Sequence, residues 1–330
     1  MTFKVGVVGV GMMGGNHCRA FQSLPDCQVL GAADADFKKA QKFAKDRNIK
    51  PYASLSDMLA HEELDILSIA TPTPTHKSLA IEAARAKKHI FLEKPIARTI
   101  EEAEEILSEI DKAKVKFMVG HVVRFSPHYL RVKEIIDSGA IGNPAVVRTS
   151  RCGSFPGRGR TWYGDMEKSG RVVLDTLVHD FDYLLWWFGD AARVYAKGLA
   201  YKGFEAIDYA LILVRFKNGL IAHIEGSWAE VSGFFTAIEV AGDKGLITLD
   251  SRETSPLTIN LRPAEGKPFQ PRREAPRTKG GSLLEIEHFV ECIKEDKEPL
   301  VTGKEATKAL ALALAALESI KTGKVIHLDS

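Results

Sequence analysis

The chain has 330 residues, with 45 basic and 43 acidic side chains, a formal charge of +2 and 45% hydrophobic content. This ordinary composition excludes a disordered, collagenous or coiled-coil protein, and the balanced charge gives no reason to expect nucleic acid or a membrane surface as the main partner. At about 150 residues per domain the length predicts two domains.

The first half alternates short apolar runs with amphipathic stretches. Phe3–Val8, Val29–Asp34, Ile66–Ala70, His89–Leu92 and Phe117–Val119 read as strands, each nearly all apolar. Strands of that kind are buried on both faces, which predicts a parallel sheet. Helical stretches lie between them, as at Thr99–Ala113, where Thr99 and Glu102 have capping-box spacing. Strand–helix alternation predicts a doubly wound α/β Rossmann domain over 1–122. Because a strand-like run starts at Phe3, no signal peptide is expected. The four cysteines are dispersed, with no C-x-x-C, and read as reduced thiols. The longest apolar stretch, Ala309–Leu317, is too short to span a bilayer. A cytoplasmic protein is expected.

The second half, 123–330, reads as α+β with a large, mostly antiparallel open sheet. Helices are predicted at Pro127–Ser138 and Gly170–Phe188. Strand-like runs follow at Val194–Ala200, Ile207–Phe216, Leu220–Trp228, Phe234–Ala241, Leu246–Asp250 and Leu257–Leu261. Hairpin signals stand at Asn218-Gly219 and Gly242–Gly245. Pro263–Gly281 reads as a loop, and capping-box spacing recurs at Ser282…Glu285 and Thr302…Glu305.

Chemistry concentrates at four places. Gly9-Val10-Gly11-Met12-Met13-Gly14 follows the first strand and opens the first helix, the context a dinucleotide turn requires. Asp34, 20 residues beyond Gly14, would accept the adenine-ribose hydroxyls and repel a 2′-phosphate, so NAD is favoured over NADP. Ala70–His76 and Glu93-Lys94-Pro95 lie at the carboxyl ends of later strands, where ligands bind in open sheets. Thr75 could cap the helix that follows. Predicted cofactor contacts are therefore Gly9, Gly11, Met12, Met13, Gly14, Asp34, Thr71, Pro72, Thr73, His76, Glu93 and Lys94. In the helix Gly170–Phe188, Asp175, His179 and Asp182 form a polar stripe on an otherwise apolar surface. Such groups must be hydrogen-bonded or face a wet cavity. A metal site is disfavoured, because no second His/Cys pair at helical spacing supports it.

These motifs, in this order, resemble the Gfo/Idh/MocA oxidoreductase family over essentially the whole chain. The resemblance implies a catalytic triad of Lys94, Asp175 and His179 and alcohol oxidation by hydride transfer to nicotinamide. Lys94 or His179 would take the hydroxyl proton, with Asp175 orienting its partner. A cis bond before Pro95 and dimers or tetramers through the C-terminal sheet are also implied. Gly120–Phe125 resembles the family's domain-junction stretch, where Arg124 would reach toward substrate. Arg171 departs from the family's glycine run and is expected to narrow or charge the pocket. The loop with Arg151, Arg158, Arg160, Trp162, Tyr163 and Lys168 offers aromatic faces at Trp162 and Tyr163 for a sugar, or anchors them in a domain interface.

The leading expectation is an NAD-dependent dehydrogenase of a sugar, inositol or cyclic polyol. A redox-assisted glycosidase and a non-catalytic NAD-binding sensor are the alternatives. Apolar residues on both faces of the second sheet (Ile212, Val214, Ile221, Ile224, Ile238, Val240) point to a homo-oligomer.

Overall fold

The computed structural model describes residues 2–156, 162–200, 208–263, 271–276 and 280–328. Arg158, Arg160, Ile207, Arg277 and Lys279 lie outside the described residues. The chain forms two compact units, Met1–Phe125 with Lys279–Thr307, and Ser126–Thr278 with Lys308–Ser330.

The first unit alternates β1 (Phe3–Val8), α1 (Met12–Ser23), β2 (Cys27–Ala33), α2 (Phe37–Lys45), β3 (Lys50–Tyr52), α3 (Leu55–His61), β4 (Ile66–Ile69), α4 (His76–Arg85), β5 (His89–Glu93), α5 (Ile100–Ala113) and β6 (Phe117–Gly120). The strand order is β3-β2-β1-β4-β5-β6, and every pair is parallel. Val5, Val7, Ile66, Leu67, Ile90, Phe91 and Leu92 have no exposed surface. That two-sided burial is why the strands read as unbroken apolar runs. The three-residue β3 was not foreseen: it contains a proline, and only Tyr52 is buried. Thr99 caps α5 by accepting from Glu102 N, while the Glu102 carboxylate reaches Arg98 N.

The second unit contains α6 (Pro127–Asp137), β7 (Pro144–Cys152), the short α7 (Met166–Ser169), one π-helical turn (Val172–Thr176), α8 (Val178–Phe188) and the strands β8 (Ala191–Gly198), β9 (Tyr209–Phe216), β10 (Ile221–Ser227), β11 (Phe235–Gly242), β12 (Gly245–Asp250), β13 (Leu257–Leu261) and β14 (Arg272–Glu274). The chain closes with α9 (Gly281–Lys294), α10 (Gly303–Thr322) and β15 (Ile326–His327). Here the sheet order is β14-β13-β12-β11-β7-β10-β9-β8-β15, antiparallel except for β7 with β10.

Several local expectations are corrected. The predicted helix Gly170–Phe188 is broken at its start, because Gly170 (φ 64°) and Arg171 (φ 53°, ψ −146°) both have positive φ. The regular helix begins only at Val178. Ser282 and Glu285 form no capping box: α9 starts at Gly281 with no side-chain cap, and Glu285 is fully buried. Thr302 and Glu305 do form one, each backbone N–H donating to the other's side-chain oxygen at 3.2 Å. Thr75 does not cap α4; its hydroxyl bonds Thr71 and the Pro72 carbonyl. The stretch read as the loop Pro263–Gly281 contains the strand β14, in which Arg272 pairs with Glu274.

The apolar residues assigned to both faces of the second sheet sort differently. Register places Ile212, Ile224 and Ile238 beside Thr149, and Val214 and Val240 in line with Val147, all buried on the covered face. Only Ile221 of that set lies on the open face, where Leu211 and Leu213 are exposed too.

Candidate active site

In the first unit, the turns after β1, β4 and β5 share the carboxyl edge of the sheet. Gly9 has φ +89°, and a Cβ there would meet the Ala70 carbonyl oxygen at 2.5 Å. At Gly14 a Cβ would lie 1.8 Å from the Gly9 carbonyl oxygen. Gly11 instead opens on free space, with nothing within 4 Å of a Cβ, and Met12 beside it is 78% exposed. A pyrophosphate can therefore approach the backbone at the N-terminus of α1, where the helix dipole favours an anion. Asp34 stands beside this turn, its carboxylate accepting Val10 N at 3.0 Å and Asp36 N at 2.9 Å. These residues fit a dinucleotide.

The turn after β5 carries Lys94, half-buried, followed by a cis bond to Pro95. Behind it Glu93 is buried, accepting from Lys94 N at 3.1 Å and facing His17 Nε2 at 3.0 Å. His17 Nδ1 meets the Ser68 hydroxyl at 2.9 Å. Burial pushes the Glu93 carboxyl up, but the hydrogen bond with His17 and the charge of Lys94 outweigh it, leaving Glu93 below the ordinary range. His76 is buried as well, each ring nitrogen 2.9 Å from a carbonyl, one of Thr71 and one of Pro95. Burial lowers its pKa, and the two contacts set the ring between the β4 turn and the Lys94-Pro95 turn. Thr73 is buried, whereas Pro72 is exposed. Glu285, from α9, is fully buried with neither carboxyl oxygen hydrogen-bonded among the described residues. Desolvation and the charge of Glu93 hold its pKa well above normal.

In the second unit, Asp175 sits on the π turn and His179 on the first turn of α8, both half-buried. π-Helical turns are rare and frequent at functional sites. The turn's entry is held by Asp208, whose carboxylate accepts Val172 N at 2.9 Å and pairs with Arg171 at 3.2 Å. Arg171 is thus 6% exposed and ion-paired, which corrects the expectation that it charges a pocket. One turn along, Asp180 is bound by Arg151, Thr149 and Tyr183, anchoring α8 on the sheet. Burial opposes the Arg151 charge, but Asp180 more than offsets it. Trp162 and Tyr163 stack at 4.4 Å, and Tyr163 stands edge-on to Trp228. Among the described residues, no group of three His, Cys, Asp or Glu side chains is placed to hold a metal ion.

A model described as an oxidoreductase family with an NAD-binding Rossmann fold matches residues 3–121. A second, described as the oxidoreductase family's C-terminal alpha/beta domain, matches residues 133–328. The chain belongs to the Gfo/Idh/MocA oxidoreductase family. It is 31% identical to the uncharacterised oxidoreductase YrbE of Bacillus subtilis, covering 98% of this chain and 96% of that one. It is 28% identical to a myo-inositol 2-dehydrogenase of Thermotoga maritima over 99% of this chain and 98% of that one. A solved levoglucosan dehydrogenase, in complex with NADH and L-sorbose, shares the fold at a TM-score of 0.90 and 20% identity, with both chains covered fully (100%).

In this Gfo/Idh/MocA member the first unit is accordingly an NAD-binding Rossmann domain, and the chain is an NAD-binding oxidoreductase. Arg124 is buried in the first unit, its guanidinium held by the Leu300 carbonyl at 3.2 Å and Glu305 at 3.1 Å. Motif reading missed His17, Ser68, Thr176, Asp208 and Trp228. His17 lies three residues beyond Gly14 on the buried face of α1, a position that could have marked it; Asp208 and Trp228 had no local signal.

Proposed function

We propose that this chain oxidises a hydroxyl of a sugar, inositol or related cyclic polyol. Bound NAD supplies the hydride acceptor at its nicotinamide C4. Lys94 or His179 takes the hydroxyl proton, and Asp175 orients its partner. Where His179 is the base, the Lys94 side chain instead stabilises the developing alkoxide electrostatically, and its backbone N–H donates to the carboxylate of Glu93 at 3.1 Å. Trp162 and Tyr163 offer an aromatic face for the C–H surface of a ring. The observation that carries this reading is the Lys94 turn, backed by the buried Glu93–His17 pair, at the same sheet edge as the dinucleotide turn. The names of the relatives support the substrate class.

The test is NADH absorbance with NAD and a panel of inositols, hexoses, uronic acids and nucleotide sugars. Turnover is expected with one class, and Lys94→Ala should abolish it while NAD binding persists. Normal turnover by that variant would sink the assignment. The reading includes a homodimer or homotetramer through the open sheet face, supported by exposed Leu211, Leu213 and Ile221 on adjoining strands and tested by light scattering on the eluted protein. Four free, buried cysteines accord with a cytoplasmic location.

A further inference from the structure

We propose that Trp228 is a positioning residue for the reaction: through the Thr176 hydroxyl it holds the Asp175 carboxylate and couples it to the Trp162–Tyr163 stack. The inference rests on Asp175 acting in the proposed oxidation and goes beyond it by naming what sets that carboxylate.

An indole N–H can only donate. Trp228 Nε1 donates to Thr176 Oγ1 at 2.9 Å, so the hydroxyl accepts there and its single proton must point elsewhere. Asp175 Oδ2 lies 3.4 Å from the same oxygen and can only accept when ionised, which sets the direction of the chain from Trp228 through Thr176 to Asp175.

The donor at the head of this chain is rigid. Trp228 is 4% exposed, and Phe155 meets its ring edge-on at 5.4 Å. Its backbone N–H donates to the Asp208 carbonyl at 2.8 Å. Asp208 also grips the π turn, through Val172 N and Arg171. One residue thus fixes both the indole and the turn that presents Asp175. Arg171 needs that grip, since its φ of 53° and ψ of −146° belong to a region that non-glycine residues seldom occupy. Tyr163 stands at 87° to the Trp228 ring, 6.4 Å between centroids, and stacks on Trp162. A ring seated on that stack is therefore one side chain away from the donor that aims Asp175.

The experiment compares Trp228→Phe, Thr176→Val and Thr176→Ser in the full chain, using the substrate the panel identifies. Phe keeps a ring and removes the N–H; Val removes the hydroxyl; Ser retains it. Trp228→Phe and Thr176→Val should each lower kcat about tenfold, the scale of one hydrogen bond to a carboxylate, with KM changed less than about threefold. Thr176→Ser should recover wild-type kcat. The indole N–H resonance of Trp228, identified by its loss in Trp228→Phe, should shift in Thr176→Val and stay in place in Thr176→Ser. Wild-type kcat in Thr176→Val, or equal impairment of the Val and Ser variants, would overturn the inference. Asp175→Ala separates the two readings. Full turnover in that variant refutes the catalytic role itself, whereas an inactive Asp175→Ala beside an unimpaired Thr176→Val refutes only the role of Trp228.

Discussion

Replacing Gly14 with alanine puts one methyl group where the structure has no room. The new Cβ would lie 1.8 Å from the Gly9 carbonyl oxygen, a backbone atom that cannot rotate away. Real Cβ contacts are essentially never under 3.0 Å, so turn and helix must separate by 3.0 − 1.8 = 1.2 Å. That displacement falls on the turn where Gly11 opens on free space at the N-terminus of α1, the proposed pyrophosphate seat. Losing one backbone hydrogen bond to the charged pyrophosphate costs about 1.5–3 kcal/mol, so the dissociation constant for NAD should rise by about one to two orders of magnitude. Overpacking of this kind also destabilises by about 1–3 kcal/mol. Calorimetric NAD titration measures the first effect, and urea melts without NAD measure the second. An NAD affinity within about threefold of wild type, on the same about tenfold-per-1.4 kcal/mol scale, would refute the claim that the Gly9–Gly14 contact shapes the cofactor turn.

Two further predictions concern buried charge. Asp180→Ala leaves the guanidinium of Arg151 in the core, where Asp180 is 1% and Arg151 5% exposed. Loss of one partner of a buried pair costs about 3–5 kcal/mol, so the melting temperature should fall by on the order of 10 °C. Arg151→Met in the same chain should recover much of it, and a single-variant loss below about 1 kcal/mol would contradict the buried-pair account. Glu285→Gln tests the opposite sign. Burial and Glu93 raise the native pKa of Glu285 above its ordinary 4.5, so the unfolded chain releases that proton first as pH rises. Native stability is therefore eroded above about pH 4.5 by this group, and Gln removes the erosion. Urea melts should show Glu285→Gln gaining on wild type as pH goes from 4 to 8; a pH-independent difference would show that Glu285 ionises normally.

The Rossmann half was legible because its strands are buried on both faces, and continuous apolar runs such as Ile66–Ile69 say so without any partner being known. Asp34 and the glycine turn were readable for a similar reason: strand, turn and helix follow one another in the chain. Position 171 was misread because its conformation is enforced by Asp208, 37 residues away in sequence (208 − 171), and nothing in Ser169-Gly170-Arg171 announces that partner. Glu285 has the spacing of a cap, yet three-dimensional packing turns it inward, and a spacing rule carries no information on burial. In the second sheet, alternation already sends Ile221 and Ile224 to opposite faces, but only the strand pairing gathers Ile212, Ile224 and Ile238 on the face of Thr149 and leaves Ile221 on the other. The link from Trp228 to Thr176 spans 52 residues and left no local trace.

The return of the chain to its first unit has a consequence for biosynthesis. Ile286, Phe289 and Val290 of α9 are at most 2% exposed, Phe289 against Phe91, and α9 packs along α1. Arg124 likewise donates to the Leu300 carbonyl and the Glu305 carboxylate, 176 and 181 residues later. A nascent chain that has emerged as far as residue 125 therefore carries all six strands of its sheet but an apolar flank with no cover. At about 5–20 residues per second, the roughly 170 residues from there to the end of α9 keep that flank open for on the order of 10 s or more. During that interval the half-made protein is a client for chaperones, and a fragment ending near residue 122 should aggregate where the whole chain does not.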